Sequence, residues 1–234
     1  MADKVTFIIL GILYRKEKLK KEILKVFYPD YQVVFKETQI SVSAANLAVE
    51  AIGEGTDFLI SVGGDGTMNE VVNGFFVSKT TKEIPIGLLP YGSGNDFART
   101  LGCNRSIFKL FEAVKKRKTI KSDAGEVSYL GFEGVIRKCV FINITDVGIG
   151  GMVSKNVNKS DKKLGAGFAY VKAILKSFLF YKHKYIRLEA ENFQWEGKVL
   201  SLCLANGRYF GGGMCIAPEA DIADGKMDLV LLAN

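Results

Sequence analysis

The sequence predicts an α/β protein in two parts: an N-terminal three-layer αβα domain over residues 1–118 and a mainly β, sandwich-like second domain over residues 119–234. Three observations carry this. Up to about residue 117, short β-branched runs alternate with helical runs, the order that βαβ units require. After residue 118 strand-like runs follow one another instead. Between Phe58 and Thr67 an apolar strand runs through consecutive glycines into a helix, a junction typical of the carboxyl edge of a parallel sheet.

The first element needs a decision, because Val5 to Tyr14 is an almost unbroken apolar run. A secretory signal would place an A-x-A-like cleavage site after it, and none is present. Asp3 precedes the run, so Val5–Leu10 reads as a buried first strand. Strands are expected next at Gln32–Phe35, Phe58–Val62 and Ile84–Leu89, with helices at Lys16–Phe27, Val42–Ile52 and Met68–Val77 between them. Ile107–Lys118 reads as a last helix with its positive charge gathered at the end that the helix dipole favours. Its KKRK run is either a solvated helix end or a nucleic-acid patch; the first is commoner, and no nucleic-acid partner is expected.

In the second part, strands are expected at Thr119–Val127, Val135–Asn143, Tyr185–Ala190, Lys198–Ala205 and Lys226–Leu232. Glycine clusters at 148–151 and 211–213 punctuate them, and Phe168–Tyr181 is the one long helical run. Lys172 and Lys176 interrupt that run, and each costs ~2.5–3.5 kcal/mol at a bilayer centre, which argues against a spanning helix. From Phe168 to Lys184 aromatics interleave with lysines, a pattern that serves either to pack on the β domain or to lie on an anionic membrane surface.

Composition narrows the chemistry. With 32 Lys+Arg against 25 Asp+Glu the 234-residue chain carries +7 at neutral pH, which favours anionic partners without choosing among them. Four cysteines without a CxxC pair indicate neither a zinc site nor a disulfide framework, and suit a reducing, cytoplasmic setting. His183 is the only histidine and lies between Lys182 and Lys184, as a solvated residue would. Ser-His-Asp and Cys-His catalysis and histidine metal ligation are thereby excluded unless His183 serves them.

The junction Gly63-Gly64-Asp65-Gly66-Thr67 lets backbone pass close to phosphate oxygens and present N–H groups to them. Asp65 would repel that phosphate unless a cation lies between, so it either holds or orients a magnesium-bound water or simply caps a tight turn. The spacing is neither G-x-G-x-x-G nor G-x-x-x-x-G-K-[ST], so dinucleotide-binding and Walker loops are not matched.

GGDGT at 63–67, followed by Asn69 and Glu70, resembles the nucleotide loop shared by diacylglycerol kinases, sphingosine kinases, NAD kinases and, more distantly, phosphofructokinases. Leu89-Pro-Tyr-Gly-Ser-Gly-Asn-Asp-Phe-Ala-Arg99 is similar to the LP-x-G-[ST]-x-NDFAR segment of the lipid-kinase branch. Gly211-Gly-Gly-Met-Cys-Ile-Ala-Pro218 and Asp224-Gly225 match further segments of that branch, in family order.

The resemblance implies an N-terminal nucleotide-binding domain, a lipid-substrate β domain, ATP and Mg2+ as cofactors, and transfer of the γ-phosphoryl group to a hydroxyl lipid such as diacylglycerol. It implies phosphate contacts for Gly63, Gly64, Asp65, Gly66, Thr67, Asn69 and Glu70, and further nucleotide contacts for Thr38, Ser93 and Asn95. Ser93 equally suits a turn cap, and Asn95 and Asp96 suit the N-cap of a helix. Asp65, Asp96 and Asp123 resemble an acidic trio that holds magnesium through water. Arg99 would pair with Asp96, with phosphate, or form a surface ion pair. Asp221 and Asp224 with the carbonyl of Lys226 resemble a second, structural cation position, though an Asp-Gly hairpin turn explains them equally. The expected partner is a lipid at an anionic membrane surface, met peripherally from the cytoplasm, with a homodimer possible.

Two departures stand out. Where the family carries Asn-Pro-x-Ser-Gly after the first strand, this chain reads Gly11-Ile12-Leu13-Tyr14-Arg15. The family's later Asp-Gly-Glu segment, bearing the general base, does not occur in residues 1–234. General base catalysis contributes typically ~10²–10⁴-fold, so a catalytically impaired nucleotide- or lipid-binding relative is an alternative, as is a soluble small-molecule kinase of the NAD-kinase type.

Overall fold

The computed structural model describes residues 2–131, 133–153 and 180–233. The N-terminal half is built on β1 (Lys4–Ile9), β2 (Gln32–Glu37), β3 (Phe58–Gly63) and β4 (Ile86–Pro90), all parallel, in the order β2-β1-β3-β4. Alternation of side chains along each strand sends apolar residues to both faces. Val5, Phe7 and Ile9 of β1 pack with Leu19, Ile23 and Phe27 of α1 (Lys16–Phe27) and with Phe111 and Val114 of α5 (Ile107–Lys115). Edge-to-face contacts of Phe27 with Phe7 and Phe111, at 5.1 and 5.3 Å between ring centroids, lock this layer. On the other face Ile8 and Leu59 meet Leu47 and Ala51 of α2 (Ala44–Gly53) and Val71 of α3 (Asp65–Ser78). The result is the expected three-layer αβα arrangement. Because the chain leaves β1 to one side and returns on the other, β1 and β3 flank a topological switch point, where such sheets bind ligands beyond their carboxyl ends.

Several expected boundaries move. The fourth strand begins at Ile86 rather than Ile84, the second helix starts at Ala44 behind a Ser43 cap, and the third helix starts at Asp65, three residues early. The glycine turn is therefore shorter than the sequence implied, and Asp65 itself occupies the first helical turn.

The second half is mainly antiparallel. β9 (Phe193–Ala205) is its longest strand and pairs with β7 (Ile144–Gly148), β8 (Lys184–Ala190) and β12 (Asp228–Ala233). β5 (Gly125–Leu130) and β6 (Ile136–Phe141) form a separate hairpin, and β10 (Tyr209–Phe210) pairs with β11 (Met214–Cys215). The expected strand Thr119–Val127 is a correction: residues 119–124 are not strand, since the chain there is held by single contacts such as the Asn206 Nδ2 bond to the Asp123 carbonyl at 2.9 Å. Residues 142–143 break the run expected at Val135–Asn143, and β7 beyond them was not foreseen. The last strand starts at Asp228 rather than Lys226. The helix expected at Phe168–Tyr181 lies, but for 180–181, outside the described residues. No helix among the described residues is long and apolar enough to cross a membrane.

Candidate functional site

The loops after β3 and β4 meet backbone to backbone. A Cβ on Gly64 would stand 2.9 Å from Gly92 Cα, and one on Gly92 would stand 2.3 Å from Gly64 Cα, so glycine at both positions is what allows the contact. Tyr91 N and Gly92 N both donate to the Gly63 carbonyl, at 2.7 and 3.1 Å. Asn95, in the left-handed region at φ 54°, closes the second loop: its Oδ1 accepts from Gly92 N at 2.9 Å and its Nδ2 donates to the Gly92 carbonyl at 2.7 Å. This corrects the expectation that the Asn95 side chain caps the following helix, α4 (Asp96–Thr100). A left-handed backbone turns the amide back onto its own loop instead.

The cap comes from across the cleft. Asp65 Oδ1 accepts from Phe97 N at 2.9 Å, so the first turn of α3 supplies the side-chain cap that Asn95 does not give α4. α3 itself starts behind Gly64 with no side-chain cap, leaving its leading N–H groups to a ligand or water. Thr67 is buried in this turn, where a Cβ on Gly63 would come within 2.4 Å of its hydroxyl.

Asp65 and Asp96 converge. A Cβ on Gly94 would stand 3.1 Å from Asp65 Oδ2 and 3.4 Å from Asp96 Oδ2. Asp96 is 5% exposed, and a charge that deep needs partners. Its Oδ1 takes a 2.7 Å bond from Arg99, and its Oδ2 takes a 2.8 Å bond from Gly212 N in the second half of the chain. The Arg99 guanidinium in turn lies 5.5 Å from the Tyr209 ring centroid. Of the roles open to Arg99, its pairing is therefore with Asp96. Thr100 adds a second joint by accepting from Arg208 N at 3.1 Å.

The remaining expected residues divide. Thr38 stands at the end of β2, where its hydroxyl accepts from Gly11 N at 2.9 Å and closes the loop after β1 at the switch point. Ser93 is exposed between Gly92 and Gly94. Asn69 lies on α3 in the turn after Thr67. Glu70 points elsewhere: its Oε2 accepts from Ala44 N at 2.8 Å, so its carboxylate serves the start of α2. Asp123 is bonded by Gly225 N at 2.7 Å and so belongs to the loop that carries Asp221 and Asp224. In that loop Asp221 accepts from Ala223 N at 3.0 Å and Asp224 from Lys226 N at 2.9 Å, the local turns of an Asx-rich segment. Among the described residues no three His, Cys, Asp or Glu side chains gather as direct metal ligands. His183 is half-buried rather than solvated.

Three contributors were missed by sequence reasoning. Gly212 contributes a backbone N–H and Thr100 a hydroxyl that meets a backbone amide remote in the chain, and residue type announces neither pairing. Asn73 clamps β6 to α3, donating to the Val140 carbonyl at 2.8 Å and accepting from Val140 N at 2.9 Å, and a polar residue inside an apolar helix was its only signal. A cleft of about 400 Å³ opens elsewhere, between β4, α5 and residues 117–120, and its lining contains neither Asp65 nor Asp96.

Comparisons with known proteins bear on the fold and the family. A model of the diacylglycerol kinase catalytic domain matches residues 14–127, and one of the YegS C-terminal NAD kinase beta sandwich-like domain matches residues 143–234. The chain is 29% identical over 230 residues to a probable lipid kinase YegS-like of Pseudomonas aeruginosa PAO1, covering 98% of this chain and 72% of that protein. It is 30% identical over 189 residues to the one from Pseudomonas fluorescens Pf0-1, covering 81% and 58%. Among solved structures, a putative diacylglycerol kinase from Bacillus anthracis str. Sterne superposes with a TM-score of 0.70 at 22% identity, covering 99% of this chain and 75% of that one. Carrying both domains in family order, this chain belongs to the YegS-type diacylglycerol-kinase-related family of lipid kinases.

Proposed function

We propose that this protein transfers the γ-phosphoryl group of ATP to a hydroxyl lipid of the diacylglycerol type, with Mg2+. The observation that carries the proposal is the convergence of Asp65 Oδ2 and Asp96 Oδ2 on one point beside two glycine loops and an uncapped helix N-terminus. Phosphoryl transfer asks little covalent work of a protein; it asks for positioning and for charge balance around the moving group. The residues present fit both cofactors. Gly63, Gly64 and Gly66 with the leading N–H groups of α3 would hold phosphates, and Asp65 and Asp96 would hold Mg2+ through the waters that this ion prefers to retain. Bound there, the cation would supply positive charge to offset the charge that develops on the transferred group.

The protein's own residues do the rest. Arg99 and Gly212 N hold the Asp96 carboxylate fixed in its buried position, one donor on each oxygen. Asn95 keeps Gly92 against Gly64, and Asp65 ties α4 to α3, so that both carboxylates face the same space. Asp221 and Asp224 with the Lys226 carbonyl would supply two carboxylates and a carbonyl to a structural cation in the 221–226 loop. The test is transfer from labelled ATP and Mg2+ to a panel of hydroxyl lipids in mixed micelles. Transfer to a lipid that falls at least ~10²-fold in Asp65→Ala, with the helical circular dichroism kept, is the expected outcome. Transfer only to soluble acceptors, or none with ATP still bound, would overturn it.

A further inference from the structure

We propose that the β5–β6 hairpin is a membrane-docking finger whose tip inserts into the headgroup region of a bilayer; this rests on the lipid-kinase reading only in naming the bilayer as the source of substrate. Around one exposed ion pair, Glu133 with Arg137, the tip bares large apolar side chains: Leu130 and Ile136 are 71% and 70% exposed, Val135 59% and Tyr129 47%. Large apolar side chains clustered on a projecting ribbon mark an interaction site.

The register shows which kind. Leu130 pairs with Ile136 and therefore shares its face, whereas Tyr129 pairs with Arg137 on the opposite face. A patch built to meet one protein surface would load one face of the ribbon. Apolar groups on both faces suit a fluid medium that surrounds the tip. Depth is set by the next rung, where Ser128 faces Lys138. An unclosed two-stranded ribbon cannot enter hydrocarbon far, because its outer edges carry unpaired N–H and C=O groups. Two or three residues at ~3.3 Å each match the ~5–10 Å that interfacial elements reach.

Charge points the same way. On the hairpin Lys138 is paired with Glu126 at 2.8 Å and Arg137 with Glu133, so insertion there is hydrophobic. Lys118 and Lys121, in the segment leading into β5, make no ion pair among the described residues and would favour an anionic surface. The hairpin is also rooted beside the phosphate loop. Asn73, which clamps Val140, lies eight residues along α3 from Asp65, or ~12 Å at 1.5 Å per residue. A docked finger would hold that loop at a fixed height and angle over the bilayer.

The test is flotation with phosphatidylcholine vesicles, with and without a third of phosphatidylglycerol, for the native chain and for Leu130→Asp with Ile136→Asp. Binding of the native chain, stronger to the anionic vesicles and reduced at least ~10-fold in the double variant, supports the finger. A second variant avoids any folding ambiguity: Tyr129→Trp in a Trp195→Phe background should shift its emission to shorter wavelength when vesicles are added. Unchanged flotation of the double variant, an emission that vesicles do not move, or apolar-tip substitutions that instead split a dimer in vesicle-free solution would overturn it. Emission that shifts in a protein transferring phosphate to no lipid would leave the finger standing and sink the kinase reading alone.

Discussion

Asp96 and Asp146 are both carboxylates removed from bulk water, and their surroundings treat them differently. Around Asp96, Arg99 and the Gly212 amide each donate to one carboxylate oxygen. Asp146, on β7, has among the described residues a 3.1 Å bond from Gly150 N and a 3.4 Å contact to the Ser201 hydroxyl, and burial pushes its carboxyl above the usual carboxylate range despite both. The raised folded-state value means the unfolded chain ionises first as pH rises. The penalty is therefore absent below the ordinary aspartate range and grows as pH climbs through and above it. Asp146→Asn keeps an acceptor for Gly150 N and removes the charge, so at pH 7 it should raise Tm by about 2–4 °C, the shift that ~1 kcal/mol gives in a chain of this size. At pH 3 the gain should vanish, which paired melting curves at the two pH values would show. Sequence alone singled out Asp65 and Asp96 because motif residues surround them. Asp146 carried no such signal, since its burial is created by neighbours remote in the chain.

At the scale of elements, hydrophobic periodicity placed the α/β half within two or three residues, because each strand there is apolar on both faces and each helix on one. It erred where single polar contacts decide. The run at 119–124 reads as strand in the sequence yet joins no strand among the described residues, and the hairpin begins only where β5 finds β6. Close approach of α2 and α3 was equally invisible. Gly74 lets them meet, since a Cβ there would stand 2.4 Å from the Ala45 carbonyl and 2.7 Å from Ala48 Cβ. Gly74→Ala should force the helices apart against their gain in helix propensity, at a net cost of about 1–3 kcal/mol in urea unfolding. Stability equal to or above that of the native chain would show that the pair tolerates a wider spacing.

For the whole molecule, the site is shared between the two halves. The loop 211–213 turns through three positive φ values, 65°, 89° and 113°, and thereby aims the Gly212 N–H at Asp96. Gly212→Ala costs about 1–2 kcal/mol in that conformation and should draw the donor away. The expected result is a fall in kcat with ATP binding little changed, read by steady-state kinetics beside a nucleotide-dependent Tm shift; unaltered kcat would mean that Arg99 alone suffices to hold Asp96. The sequence by itself determined the parallel α/β half, the family, and the glycine loops, because apolar period, helix starts and glycine spacing are local properties. Tertiary structure alone decided that Glu70 serves α2, that Asn95 folds onto Gly92, that Asp123 joins the 221–226 loop, and that Asp65 and Asp96 share one point. Those are distances between residues far apart in the chain, and a carboxylate's role follows from what packing brings within about 3 Å of its oxygens.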